Sequence, residues 1–163
     1  MKPGRALLAS ALFLCLAPGT VAGLIPWWIS RWRFDPPFFG LEPVRWLGVL
    51  LIALSAPVLL ESFARFATEG FGTPSPLLPT EHLVVGGFYR YVRNPMYVAV
   101  VSIIVGQALL LGSVYLLAYA LIVWAAFLGF VLSYEEPKLH KTYGPEYERY
   151  CARVHRWIPH RTR

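Results

Sequence analysis

Between Arg93 and Glu135 the chain has no charged residue at all. A gap that long has no counterpart in the polar faces of soluble helices, and it excludes an ordinary water-exposed domain over that stretch. Cysteine is scarce too. Cys15 falls in an apolar run and Cys151 in a polar tail, so no disulfide framework and no zinc framework can be drawn. The histidines His82, His140, His155 and His160 lack metal-ligand spacing, which excludes a metal site. There is no glycine-rich phosphate loop, no serine or cysteine triad candidate, no internal repeat and no low-complexity segment. Acidic residues number 9 against 15 basic ones, a net charge of +6. Anionic lipid at one membrane face accounts for that excess, and nucleic acid is not needed as a partner.

What the chain has instead is apolar length. Of 163 residues, 56% are hydrophobic, and the mean hydropathy is +0.51. Soluble domains lie nearer 45–50% apolar, so the composition predicts one all-α integral membrane bundle. Four stretches qualify as spans, residues 6–29, 44–63, 97–111 and 114–134. About 20 residues are needed to cross the hydrocarbon. The third is short and meets the fourth at Gly112-Ser113, which predicts a tight helical hairpin. The first also has the look of a leader, with Lys2 and Arg5, an apolar run and Val21-Ala22-Gly23. Its continuation through Leu24, Ile25, Trp27 and Trp28 favours a retained span with an interfacial aromatic belt.

Charge sets the expected orientation. Arg65, Arg90 and Arg93 lie between the second and third spans, and Lys138, Lys141, Arg149, Arg153, Arg156, Arg161 and Arg163 lie in the tail. Positive loops face the cytoplasm, so both termini are expected inside, in an inner or plasma membrane. Arg31, Arg33 and Arg45 in the first loop oppose this. The loop over residues 70–95 is broken by Gly72, Pro74, Pro76, Pro79 and Gly86, and irregular backbone at membrane depth survives where it lines protein or a wet cavity. In the tail, Leu139, Tyr143, Tyr147, Tyr150, Val154 and Trp157 recur at three- and four-residue steps, which predicts an amphipathic helix over 136–157, interrupted at Gly144-Pro145. Such a helix would lie on the headgroups or lid a site.

Two polar clusters flank the charge-free hairpin, and the fold would bring them to one membrane face. One runs from Gly86 to Tyr97 and the other is Tyr134-Glu135-Glu136-Pro137. An ionised residue at a helix centre costs roughly 2.5–3.5 kcal/mol on insertion scales, so acids beside a span usually have a role. Structural readings stand beside each functional one. Glu135 and Glu136 could pair with Lys138 and Lys141, Asn94-Pro95 could simply start a helix, and tyrosines are default belt residues. Glu61 and Arg65, four apart, would neutralise one another. In combination, tyrosines and carboxylates at one face suit a cationic ligand. Acids hold an ammonium or sugar hydroxyls, and aromatic faces stabilise a sulfonium or methylammonium.

From Thr80 to the end, about half the chain, these residues resemble the isoprenylcysteine carboxyl methyltransferase and phospholipid methyltransferase superfamily of membrane enzymes. The order is Leu83-Val84, Gly87-x-Tyr89, Arg93-x-Pro95-x-Tyr97, a hairpin, Glu135-Glu136, Tyr143-Gly144-x-x-Tyr147-x-x-Tyr150 and Pro159. The resemblance implies S-adenosylmethionine as cofactor, held by Glu81, His82, Leu83, Val84, Tyr89, Asn94, Pro95, Met96, Tyr97, Glu135 and Glu136. It further implies an in-line displacement at the sulfonium methyl, with a lipophilic acceptor from the bilayer. Such a step needs positioning and desolvation more than acid or base groups. Glu146, Arg149 and Arg153, at helical spacing, are candidates for acceptor contact or lid closure. Two departures bear on the acceptor. Asn94 stands where the isoprenylcysteine enzymes usually have histidine, and Val131 where they place a substrate-binding arginine. Both favour a phospholipid amine over a prenylcysteine carboxylate. Rival readings are an NADPH-dependent sterol-type membrane reductase, a non-catalytic membrane scaffold, and a methyltransferase acting on a small lipophilic amine or thiol.

Overall fold

The computed structural model describes residues 3–70 and 82–159; Glu81 and the breaker-rich residues 71–81 lie outside that range. The described residues form helices and connecting turns, without strands. In order, these are α1 (Pro3–Gly19), α2 (Ile25–Ser30), α3 (Pro43–Thr68), α4 (Pro95–Leu111), α5 (Val114–Phe130), α6 (Glu136–Tyr143) and α7 (Pro145–Arg153). Two π-helical segments, Thr20–Leu24 and Val131–Glu135, join α1 to α2 and α5 to α6. Among the described residues, three continuous helices are long and apolar enough to cross a membrane, Ala11–Ser30, Pro43–Thr68 and Val114–Tyr143. The third predicted span, α4, has 17 residues and so reaches only about 26 Å, short of the ~30 Å hydrocarbon thickness. Large apolar side chains such as Leu54, Leu121 and Ile122 point outward, as lipid-facing residues of a bundle do.

Proline explains both π segments. Pro26 has no N–H for the carbonyl of Ala22, four residues back. The preceding amide, Ile25, reaches five residues back to Thr20 and leaves Val21 unserved as well. Side chains from the hairpin replace the lost donors. Gln107 Nε2 donates to Ala22 O at 2.7 Å, and Tyr119 Oη to Val21 O at 2.9 Å. In lipid an unpaired carbonyl is costly, so these two contacts fix the first span against α4 and α5. Pro137 repeats the arrangement, with the Glu136 amide reaching back to Val131.

The core joins Leu59 and Phe63 of α3 to Met96, Val100 and Ile104 of α4 and Val123 of α5. Helices α3 and α4 approach closely at Gly48 and Gly106. A Cβ on Gly48 would come within 2.5 Å of the Gly106 carbonyl oxygen, and one on Gly106 within 2.6 Å of Ile52 Cγ1. Small residues at a crossing are how membrane helices gain van der Waals contact. The hairpin turns at Gly112-Ser113 as expected, both amides returning to Ala108 O.

Arg45, one of the basic residues that opposed the charge-based orientation, has a structural task. Its guanidinium donates to Leu110 O at 2.5 Å and to Asp35 O at 2.6 Å, closing the carboxyl end of α4. Arg31 lies over the Trp27 ring at 4.7 Å.

The amphipathic tail differs in extent from its sequence period. It breaks at Gly144 as expected, but α7 ends at Arg153, and residues 154–159 turn back towards the bundle. Trp157 therefore meets Trp124 of α5, ring centroids 4.6 Å apart, and is not a face residue of a helix. The boundary of the fourth predicted span also moves. Helical structure runs unbroken from Val114 to Tyr143, past the expected end at 134, because the π segment absorbs the proline without stopping the helix.

Candidate functional site

Pro95 at the first turn of α4 fixes where that helix begins, and puts Tyr97 on its opening turn. Across the hairpin, the π segment ends on Glu135. Tyr97 Oη donates to Glu135 Oε2 at 2.7 Å, and the Tyr97 ring rests on Phe127 at 4.6 Å. π-bulges commonly occur at functional sites because the extra residue re-aims the side chains around it.

Glu136 faces a different set of partners. Arg156 donates to both its oxygens, Nε to Oε1 at 2.7 Å and Nη2 to Oε2 at 2.8 Å, while Arg93 Nη1 donates to Oε1 at 3.1 Å. The pair with Arg156 is bidentate, and the Glu136 carboxylate raises the Arg156 pKa. Arg93 Nη1 also lies 2.9 Å from Cys151 Sγ. Arg93 Nε is buried with no hydrogen-bond partner among the described residues.

The tail closes over these groups through its backbone. Tyr150 Oη donates to Tyr89 O at 2.7 Å, the Arg93 amide to His155 O at 2.9 Å, and Asn94 Nδ2 to Arg156 O at 3.1 Å. Asn94 is thus spent on the tail and does not cap α4 with its side chain. Tyr147, Tyr150 and Val154 form a small core with Leu83 and Leu139. Of the two roles open to the tail, covering the site is the one the contacts describe.

Under the tail is a cavity of about 60 Å³, walled by Phe66, Leu83, Val84, Tyr89, Arg93, Asn94, Glu135, Glu136, Leu139, Tyr147 and Tyr150. Burial holds the phenols of Tyr89, Tyr147 and Tyr150 well above the usual range, with the Glu135 charge adding to Tyr89. At neutral pH they are O–H donors and not bases. Gly87 has φ +55, and a Cβ there would collide with the Glu61 carboxylate, so that turn favours glycine. Glu61 pairs with Arg65 at 2.7 Å, as the spacing predicts, yet its Oε2 is buried without a hydrogen-bond partner among the described residues.

A second cavity of about 200 Å³ is almost wholly apolar. It lies between Phe13, Ala17, Pro18 and Val21 of the first span, Met96, Tyr97 and Val100 of α4, and Phe127 and Phe130 of α5. Tyr97 separates the two environments, its ring in the apolar cavity and its hydroxyl on Glu135.

Of the residues expected to hold a cofactor, Leu83, Val84, Tyr89, Asn94, Glu135 and Glu136 gather at the small cavity. Met96 and Tyr97 line the apolar one, Pro95 is buried at the helix start, His82 is exposed, and Glu81 lies outside the described residues. Glu146, Arg149 and Arg153 are on the outer side of α7 and do not reach the Glu135 cavity. Phe66, Arg93, Leu139, Tyr147 and Tyr150 were missing from the expected set. The tyrosines and Leu139 had a signal, the tail's period, and Arg93 had one in its two-residue spacing from Pro95; Phe66 had none. Val131 is fully buried, so its position offers no polar group.

The sequence model of the phospholipid methyltransferase family matches residues 43–146. Over 78 residues, 47% of this chain, the sequence is 35% identical to probable protein-S-isoprenylcysteine O-methyltransferase from Oryza sativa, in both the indica and japonica subspecies. It is 37% identical over 78 residues to protein-S-isoprenylcysteine O-methyltransferase from Schizosaccharomyces pombe. The match covers 40% of the rice proteins and 33% of the yeast one, so the chain spans well under half the length of these relatives.

Proposed function

The chain belongs to the phospholipid methyltransferase family, and from that premise we propose that it transfers a methyl group from S-adenosylmethionine to a lipophilic acceptor. The observation that carries this reading is Tyr97, which joins a polar pocket to an apolar one within a single side chain.

The residues of the small cavity fit the cofactor. An ammonium or ribose hydroxyl has the Glu135 carboxylate, a carboxylate has the unpartnered Arg93 Nε–H, and a sulfonium has aromatic faces in Tyr89 and Tyr147. Leu83, Val84 and Phe66 supply apolar wall for an adenine ring. The enclosed 60 Å³ is well below the about 300–1,000 Å³ of ordinary ligand sites, so entry requires the tail and the loop before α4 to part. When bound, the cofactor supplies an activated methyl on a cationic sulfur. The protein's part is to orient, to exclude water and to keep its phenols protonated. No general base is needed for a neutral amine or a carboxylate nucleophile.

The acceptor's hydrocarbon belongs in the apolar cavity beside Tyr97, and its head at the Tyr97–Glu135 junction. An amine headgroup is the favoured acceptor, because the buried Val131 gives a carboxylate no bidentate partner. Carboxyl methylation of a prenylcysteine is the second reading, favoured by the names of the relatives. The excess of basic residues in the tail and before α4 supports a site on the cytoplasmic side of an inner or plasma membrane, in a single membrane domain. Membranes supplied with methyl-labelled S-adenosylmethionine and either phosphatidylethanolamine or a farnesylcysteine analogue test both. Labelled lipid amine is expected. Methyl ester on the farnesyl compound without lipid product would transfer the assignment to the second reading.

A further inference from the structure

On the far side of α7 from the Glu135 cavity is a larger cleft, about 350 Å³, that the proposed reaction does not use. Leu83 and Tyr150 form the partition, since both line the two cavities. The cleft's charged groups are Arg90, from the turn before α4, and Glu146 and Arg153, from α7. None of the three has an ion-pair partner among the described residues. Arg153 Nε donates to the Arg149 carbonyl at 3.2 Å, and its two terminal nitrogens have no hydrogen bond among the described residues. The remaining wall is apolar, Leu83, Val85 and Val154.

We propose that this cleft binds the headgroup of a zwitterionic membrane phospholipid, with the phosphate between Arg90 and Arg153, the ammonium at Glu146 and the glycerol backbone against Val85. Two guanidinium groups from separate elements, lining one cleft and ion-paired to no carboxylate among the described residues, suit a phosphodiester. Arginine's planar fork matches its oxygens bidentately. A free anion would leave Glu146 uncompensated or repelled, whereas a headgroup that carries an ammonium uses all three charges. The surroundings are those of a headgroup layer. Val85 is 42% exposed, and Phe88 and Tyr91, flanking Arg90, are 38% and 51% exposed. Aromatic and basic residues share that depth. Because Tyr150 walls the cleft on one side and ties the tail to Tyr89 on the other, a lipid seated here also holds the tail down over the inner cavity.

Dihexanoylphosphatidylcholine is the probe of choice, because its nitrogen has no hydrogen left to exchange for a methyl group and its binding is read apart from turnover. Full-length protein in detergent micelles is titrated with this lipid and, separately, with inorganic phosphate, and the thermal unfolding midpoint is followed. The lipid is expected to raise the midpoint, with saturation at least tenfold weaker in Arg90→Gln/Arg153→Gln, and inorganic phosphate at equal concentration to leave it unmoved. Both arginines are exposed, so the variant is expected to keep the wild-type circular dichroism. Glu146→Gln provides the second arm. It should weaken phosphatidylcholine while sparing short-chain phosphatidylglycerol. Equal protection of wild type and the double variant would overturn the site. Equal protection by inorganic phosphate would overturn the lipid, and an unchanged lipid preference in Glu146→Gln would overturn the role of the ammonium.

Discussion

Tyr97 and Glu135 meet through one hydrogen bond of 2.7 Å although 38 residues separate them, and the intervening chain is a helical hairpin without a charge in it. One consequence is a test of the cofactor site. A hydrogen bond to a charged group contributes about 1.5–3 kcal/mol, and 1.4 kcal/mol is about a factor of ten in affinity. Tyr97→Phe should therefore weaken S-adenosylmethionine binding about tenfold, because Glu135 loses the contact that aims it. Glu135→Gln should weaken it further. Calorimetry on purified protein is the measurement, and unchanged affinity in both variants would remove the pair from the site.

The tail's closure rests chiefly on Arg156. Its two hydrogen bonds to Glu136 and its carbonyl's bond to Asn94 join the last described residues to the starts of α4 and α6. Glu136 is 15% exposed in its side chain and would keep only Arg93 if Arg156 were lost. Leaving such a group underpaired costs about 1–3 kcal/mol. Arg156→Ala should speed amide exchange across α7 by about one to two orders of magnitude, with α4 and α5 unaffected. Arg156→Lys should recover part of the protection, because an ammonium cannot reproduce the fork. Protection of α7 equal to wild type in Arg156→Ala would mean that the apolar tail contacts suffice.

Alkaline pH should loosen the same closure. Tyr89, Tyr147 and Tyr150 have pKa values raised above 10.0 by burial, so the folded state favours their protonated forms. Their contribution to stability is fully present below pH 10 and is lost as pH rises through the higher folded values. Tyrosinate absorbance should show a late-titrating group of phenols that coincides with the loss of tail protection. Tyr150→Phe should remove one phenol from that late group. If it removes one from the early phase instead, Tyr150 is not buried in solution.

The hairpin, the broken tail and the meeting of the two polar clusters were legible because each depends on local pattern, namely apolar run length, glycine-proline punctuation and the three-to-four period. The site residues that escaped depend on long-range register. Phe66, near the end of α3, reaches Tyr89 edge-on, ring centroids 5.8 Å apart, across a fold in which the turn before α4 returns to α3, and no pattern along either segment announces that meeting. The tail's return was hidden for a similar reason. Trp157 fits the helical period, so its pairing with Trp124 across the bundle was read as one more face residue. Likewise Asn94 was read for its neighbour Pro95, whereas its amide serves the tail.

Both prolines that generate the π segments are plain in the sequence, and the donors that replace the lost amides give the last test. Gln107 donates to Ala22 O because Pro26 cannot, while its own Oε1 accepts from Trp32 Nε1 at 3.3 Å. Polar contacts between membrane helices measure about 0.6 kcal/mol on average and up to about 1.7. Gln107→Leu should lie at the upper end of that range, since it leaves a carbonyl unpaired next to lipid and frees the Trp32 indole. In a Pro26→Ala background, residue 26 regains an N–H within reach of Ala22 O, and the same Gln107→Leu substitution should cost less. The double-mutant cycle, read by unfolding in detergent, isolates that difference. A coupling of zero would mean that Ala22 O finds no new donor when Pro26 is replaced. The bulge would then be maintained by the packing of Val21 and Ala22 against α4 and α5, with proline only tolerated there.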